Sequence, residues 1–365
     1  MTEFWTHIKK LDWPLIIISL LLVGMGLLAL FSASQESEGL LDFKKQIIFL
    51  VIGLFLMVLV SFFDWRLLRE DPYLILIFYA LCLLLLGGLF FFAPEIRGVQ
   101  GWYRIGAFSF DPIELTKVVL IVLLAKYFSS RHVEMYRVVH ILISGFYVLA
   151  PSLLIFFQPD LGSVLVLLSL WIGILLISGI RLGHFVALIL CGLLIFAVSW
   201  STVLKDYQKE RVLNFLQPQV SESLTVGWNQ RQAKIAIGSG GFFGQGIGQG
   251  SQTQNGFLPE PKTDFIFSVI AEETGLIGVS FLLLLFALLI GRILKVSLNS
   301  QSNFCRLFAM GLSVLLLSQV FIHIGMNIGI LPIIGIPLPL VSYGGSGLLS
   351  FFLALGILQS MKATR

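Results

Sequence analysis

Charge is scarce in this sequence. Only 12% of its 365 residues are charged, 24 basic against 20 acidic, about half the usual share. That scarcity excludes an ordinary water-soluble globule, and the apolar richness excludes a disordered chain. Cysteine is scarcer. Cys82, Cys191 and Cys305 are scattered and odd in number. They give no disulfide framework, and no CxxC, CxxH or HExxH spacing offers a metal site. No basic block resembles a nucleic-acid patch. No internal repeat recurs along the chain, which weighs against an inverted-repeat transporter.

What is abundant is apolar. Hydrophobic residues make up 57%, with 32 Phe, and the mean hydropathy is +0.95. Ten stretches near the ~20 residues that cross a bilayer can be bounded at 14–33, 46–63, 73–93, 113–129, 138–158, 161–178, 184–203, 265–291, 306–331 and 343–361. The runs are continuous rather than alternating, so they predict helices and not barrel strands. The expected fold is all-α, a polytopic membrane protein with ten transmembrane helices. Lys9 and Lys10 precede the first run and no small-x-small cleavage site follows it, so it reads as an uncleaved span.

Lysine and arginine set the orientation. With the N-terminus inside, thirteen fall on cytoplasmic segments. Four (Lys44, Lys45, Arg97 and Arg104) fall on short external loops. Both termini are then cytoplasmic. The one large loop, 204–264, is external, so elaborate chemistry belongs to the outer face or within the bundle.

Ionisable groups within spans are functional candidates by default. Glu114 and Lys117 lie at i,i+3 in the fourth span and can pair on one helix face. Glu272 and Glu273 lie about eight residues into the eighth span, roughly 12 Å below its start at 1.5 Å per residue. They point about 100° apart, so at least one faces a polar cavity or a packing partner. Asp160, in Gln158-Pro159-Asp160-Leu161-Gly162, reads as a helix cap between spans five and six.

The external loop carries a glycine-rich run from Gly238 to Gly250. It matches neither phosphate-loop fingerprint. It reads as a flexible or tightly folded loop whose backbone N–H groups could contact a phosphate. Asp264 follows, directly before the eighth span. It reads either as an N-cap or as a general base at the water–membrane boundary, where nearby apolar surface raises its basicity. Asp206, Lys209, Glu210 and Arg211 stand just after span seven. They form either a salt-bridged loop helix or a phosphate contact through the arginine fork.

Several motifs now carry a resemblance. They are Gln158-Pro159-Asp160-Leu161-Gly162, Asp206-Tyr207-Gln208 with Arg211, and Lys234-Ile235-Ala236-Ile237-Gly238-Ser239-Gly240-Gly241. They continue through Ser251-Gln252-Thr253-Gln254, Phe257-Leu258-Pro259-Glu260, Thr263-Asp264-Phe265-Ile266-Phe267 and Glu272-Glu273-Thr274-Gly275. The last are Gly329-Ile330-Leu331-Pro332 and Pro337-Leu338-Pro339-Leu340-Val341-Ser342-Tyr343-Gly344-Gly345-Ser346. Together they resemble the SEDS family (shape, elongation, division and sporulation), in its RodA-like elongation branch, over nearly the whole chain.

The resemblance implies one integral membrane domain over residues 1–365, in the cytoplasmic (inner) membrane of a bacterium. It implies a peptidoglycan glycosyltransferase that polymerises lipid II at the outer face during elongation and rod-shape maintenance. The family's essential aspartate falls on Asp264 and its intramembrane Glu–Lys pair on Glu114 and Lys117. Arg211, Lys117, Glu114, Asp160, Glu260 and Lys262 are the expected substrate contacts. Glu272, Glu273 and Ser342 are the expected supports behind them. Family partners are class B penicillin-binding proteins and other elongation-complex proteins. Two positions depart from the family: Lys262 stands where histidine is usual, and His323 where the signature has asparagine, with an asparagine instead at Asn327. An α-linked donor giving a β-1,4 bond requires inversion, for which one general base suffices, and cations must neutralise the departing pyrophosphate. A divalent cation (Mg or Mn) would serve that end, although no ligand cluster demands one. The competing readings are a lipid II flippase and a non-catalytic scaffold for a penicillin-binding protein.

Overall fold

The computed structural model describes residues 2–364 except 35–39, 72, 95–100, 107, 132–136, 203–208 and 210–225. A short helix, α1 (Thr2–Lys10), precedes α2 (Trp13–Ala33). Asp12 starts α2: its carboxylate accepts the Leu15 N–H at 3.2 Å, and Pro14 occupies the first turn. Next come α3 (Leu41–Ser61), the short α4 (Arg66–Glu70) and α5 (Leu74–Phe92). An antiparallel hairpin, β1 (Tyr103–Ile105) with β2 (Phe108–Phe110), pairs Tyr103 with Phe110. It leads into α6 (Pro112–Ser129), capped by Asp111, whose carboxylate accepts the Ile113 N–H at 2.8 Å. The chain continues through α7 (Val138–Phe157), α8 (Leu161–Ile177) and α9 (Leu182–Thr202). Two shorter helices, α10 (Val226–Ser239) and α11 (Ser251–Gln254), precede the last three: α12 (Ile266–Leu298), α13 (Asn303–Ile328) and α14 (Gly345–Ala363).

A helix lies on each of the ten apolar stretches read from the sequence. Eight of them are long and apolar enough to cross a membrane. Of the other two, α6 carries Glu114, Lys117 and Lys126, and α8 stops at 17 residues. The core is built on α6, α13 and α14, which bury most of their side chains. α14 lies along α3, while α13 touches α6, α8 and α12. By contrast α9 buries no side chain, and a helix apolar on every face is stable when lipid surrounds it.

Contacts sort the bundle into two ends. At one, Arg292 and Lys362 pair with the Asp12 carboxylate at 2.6 and 2.9 Å. Gln359 exchanges two bonds with the Asp12 backbone, and the Trp65 indole donates to the Thr364 hydroxyl. Both chain termini are therefore at this end. The starts of α6, α8, α12 and α14 gather at the other.

The eighth apolar stretch differs from the single span expected of it. Gly275, at φ 63° and ψ −162°, breaks α12 in two. A break in an apolar helix strands backbone donors and acceptors that lipid cannot satisfy. The glycine-rich segment supplies the partners. Gln245 and Gly246 N–H donate to the carbonyls of Glu272 and Glu273 at 2.9 and 3.0 Å, while Leu276 and Ile277 N–H donate to those of Gly241 and Phe242 at 2.9 and 3.3 Å. A side chain on Gly275 would stand 2.6 Å from the Phe242 carbonyl, so backbone meets backbone with no room between. Of the two forms expected of this run, flexible or tightly folded, it takes the second: from Gly241 to Gly246 it is docked in the break of a helix.

Candidate active site

Asp264 lies in a turn ahead of α12. Glu260, at φ 43°, forms the bend, and its carbonyl accepts the N–H groups of Thr263 and Phe265 at 3.2 and 3.3 Å. Phe265 occupies the N-cap of α12 and makes no side-chain cap bond. The capping position expected for Asp264 therefore falls one residue later.

Three consecutive carbonyls around Asp264 are held from outside the turn. That of Lys262 accepts the Tyr343 N–H at 2.9 Å. That of Thr263 accepts the Ser342 hydroxyl at 2.7 Å. Asp264's own accepts the Asn327 carboxamide at 3.0 Å. The Ser342 hydroxyl in turn accepts the Leu338 N–H at 2.8 Å, so Ser342 stands behind Asp264 and is itself fixed. The Asp264 carboxylate faces Gly335, with Oδ2 3.5 Å from where a Cβ would sit on that glycine. Lys262 reaches sideways to α3 and pairs with Asp42 at 2.8 Å. Asp42 also bonds the Tyr343 hydroxyl, so this lysine bolts the turn to a neighbouring helix.

A second charged group sits at the start of α6. Lys117 Nζ pairs with Glu114 Oε1 at 2.7 Å with 1% and 10% of the side chains exposed. Asp111 lies one turn before this pair. Burial and the Glu114 carboxylate push its carboxyl up to about 8, with Asp160 adding to the rise and Lys117 and the Ile113 N–H opposing it. Asp160 caps α8, accepting the Ser163 N–H at 3.0 Å. Arg104 is exposed on the hairpin. Arg211, with Asp206 and Glu210, lies outside the described residues.

The stretch from Gly329 to Ser346 joins these groups. Gly335 faces Asp264, and the Ile334 carbonyl abuts Gly162 beside Asp160. Ser346 Oγ accepts the Asp111 N–H at 2.8 Å, and Gly347 lies beside Glu114. Glu272 and Glu273 serve a different neighbourhood. Glu272 is fully buried and accepts from the Gln252 N–H (2.6 Å), the Thr253 N–H (3.1 Å), the Thr253 hydroxyl (2.7 Å) and Ser251 Oγ (3.3 Å). Glu273 accepts the Ser32 hydroxyl and, at 3.1 Å, the Gly248 N–H. They tie the 248–254 segment to α12, whose first half they sit on.

His323, fully buried in α13, places Nδ1 2.7 Å from the Ile336 carbonyl, while its Nε2 has no partner. A carbonyl only accepts, so Nδ1 carries the proton. Among the described residues no group of three or more His, Cys, Asp or Glu could hold a metal ion. Sequence reasoning missed Asp111 and Gly335, and it named Asn327 only as a departure from the family pattern. The Asp111-Pro112 pair was a readable helix start, whereas the roles of Asn327 and Gly335 exist only in tertiary contact. Chemically, the arrangement offers a rigidly held carboxylate beside a turn and, joined to it by one loop, a buried ammonium paired with Glu114, with the Asp111 carboxyl one turn before the pair.

The Cell cycle protein family, FTSW_RODA_SPOVE, matches residues 12–365. The chain belongs to this family. The peptidoglycan glycosyltransferase MrdB of Escherichia coli (strain K12) is 38% identical over 367 residues, covering 99% of this chain and 96% of that one. A chain from a solved peptidoglycan synthase complex that coordinates polymerization and crosslinking superposes with a TM-score of 0.81 at 30% identity, covering 96% and 97%. The crystal structure of the rod shape determining protein RodA of Thermus thermophilus gives 0.71 at 29% identity, covering 97% of each chain. Asp264, the Glu114–Lys117 pair and the Asp12 cluster all lie within the FTSW_RODA_SPOVE match. The chain is a multi-pass membrane protein of that family.

Proposed function

We propose that this chain is a peptidoglycan glycosyltransferase that polymerises lipid II at the outer face of a bacterial inner membrane during elongation and rod-shape maintenance. The name and the near-complete overlap of MrdB support the activity. Asp264 carries the reading, because its turn is held at three successive carbonyls. It sits at the end of the bundle opposite both termini. With all ten helices crossing, the lysine and arginine bias puts the termini in the cytoplasm and Asp264 outside, at headgroup depth.

The acceptor sugar hydroxyl gives its proton to the Asp264 carboxylate and attacks the donor's anomeric carbon. The bond to lipid pyrophosphate breaks with inversion. A positioned base supplies about 100- to 10,000-fold, and the rest comes from holding two lipids and stabilising the leaving group. Lys117 is the buried cation toward that pyrophosphate, with Glu114, Asp111 and Asp160 setting its environment. Arg211 adds a second cation from the external loop. Glu260 and Lys262 act by shaping the Asp264 turn, and Glu272, Glu273 and Ser342 hold the surrounding backbone. The likeness to a chain of a synthase complex supports a class B penicillin-binding protein as partner, supplying the crosslinking step.

The test is polymerisation of labelled lipid II by the purified protein with its partner, read as polymer on a gel. Wild type makes glycan; Asp264→Asn inserts and folds but makes none. Full activity of that variant would remove Asp264 as the base. Translocation of lipid II in sealed vesicles without any polymer would turn the reading to a flippase.

A further inference from the structure

We infer that Asn327 is a positioning residue for Asp264, acting on its main chain from the last turn of α13. The inference rests on the reading of Asp264 as the base. Asn327 is fully buried. Its Nδ2 donates to the carbonyls of Asp264 and His323 at 3.0 and 2.8 Å, and its Oδ1 accepts the Ser268 hydroxyl at 2.6 Å. The two carbonyls accept only, so the amide nitrogen must face them and its oxygen must face Ser268. No flipped orientation satisfies the set.

One carboxamide therefore spans Asp264, just ahead of the N-cap Phe265, and the first turn of α12. Ser268 is four residues beyond Asp264, and both are held by the same side chain. The carbonyls of residues 262 and 263 are held from the 342–343 segment. Asn327 brings a different helix, α13, to bear on the Asp264 peptide. That peptide plane sets the direction of the Asp264 Cα–Cβ bond, and hence where the carboxylate stands against Gly335. Loosening it leaves the turn held only on residues 262 and 263, by the 342–343 segment and Asp42, and the carboxylate misaimed. A misplacement near 1 Å costs about 100-fold in rate.

The experiment uses the full-length protein with its partner and labelled lipid II, with kcat, KM and the pH–rate profile measured for three variants. Asn327→Leu removes all three bonds at similar volume. Ser268→Ala removes only the hydroxyl that orients the carboxamide, and it keeps the test alive where the leucine variant does not fold. Asp264→Asn runs beside them. The expected result is a kcat lower by about 10- to 100-fold for Asn327→Leu and by a smaller factor for Ser268→Ala. KM for lipid II stays within twofold, and the acid limb of the profile moves. A merely structural loss would scale the profile down without moving that limb. Wild-type kcat, or a lowered profile with an unmoved limb, in the folded variants overturns the inference while an inactive Asp264→Asn leaves the base intact. An active Asp264→Asn overturns the base reading itself.

Discussion

Glu272 gives the sharpest test of how the 248–254 segment is attached. Its carboxylate is fully buried and takes two backbone N–H groups, those of Gln252 and Thr253, together with two hydroxyls. The hydroxyls can turn to other acceptors, but the backbone donors cannot. Glu272→Gln keeps one oxygen and sets an NH2 group against the other N–H. A buried donor left without a partner costs about 1–3 kcal/mol. Near 2 kcal/mol the local opening equilibrium rises roughly 30-fold. Glu272→Ala orphans both donors, which is about 4 kcal/mol and near a thousandfold. Hydrogen–deuterium exchange of the Gln252 and Thr253 amides reads this directly. Exchange should quicken in that order, while amides in the core of α13 stay as slow as in wild type. Exchange within threefold of wild type in both variants would refute the reasoning, because the carboxylate would then not be what holds the segment.

The Glu114–Lys117 pair predicts a non-additive result. Lys117→Met leaves a buried carboxylate without its cation and costs about 3–5 kcal/mol. The double variant with Glu114→Gln should recover part of that in detergent thermal melts, and a single variant as stable as wild type would contradict it. Asp12 predicts a pH dependence. Burial pushes its carboxyl up, but the bonds from Arg292 and Lys362 outweigh this and hold it below the ordinary 3.8. The folded state therefore releases this proton more readily than the unfolded one. Its stabilisation is fully present above that value and is lost as pH falls through the lower, folded value. The melting midpoint should keep this contribution from pH 7 to 5 and lose it only in stronger acid. Asp12→Asn should melt lower at neutral pH and lack that acid step.

The helices were legible because lipid enforces a simple code. Continuous apolar runs must be helical, and start signals such as Asp12-Trp13-Pro14 mark their edges. Asp160 was readable as a cap because aspartate after proline has few other uses at a helix start. The break at Gly275 was not read, although Glu272-Glu273-Thr274-Gly275 is a polar insertion in an apolar run. Hydropathy averages across it, and the glycine segment that fills it comes about 30 residues earlier in the chain. The same distance hid the role of the glycines: backbone bonds carry no residue code. Asp264 stood out by its place at a boundary. Ser342 was expected among its supports from the resemblance, but Asn327 and Gly335 were not, since they reach Asp264 only when α13 ends and the chain folds back over α12. The salt bridge from Lys262 to Asp42, more than 200 residues away, is equally invisible to spacing.

The cluster at Asp12 also constrains how the chain is made. Asp12 enters the membrane surface with the first long helix, yet the basic groups that pair with it lie at 292 and 362. Through most of translation it is a carboxylate waiting for partners, and α3 waits likewise for α14. The early helices therefore remain an open, laterally accessible set until the final helix inserts. A ribosome stalled before residue 345 would leave a species with nearly all its spans and no closed bundle, a natural substrate for membrane proteases.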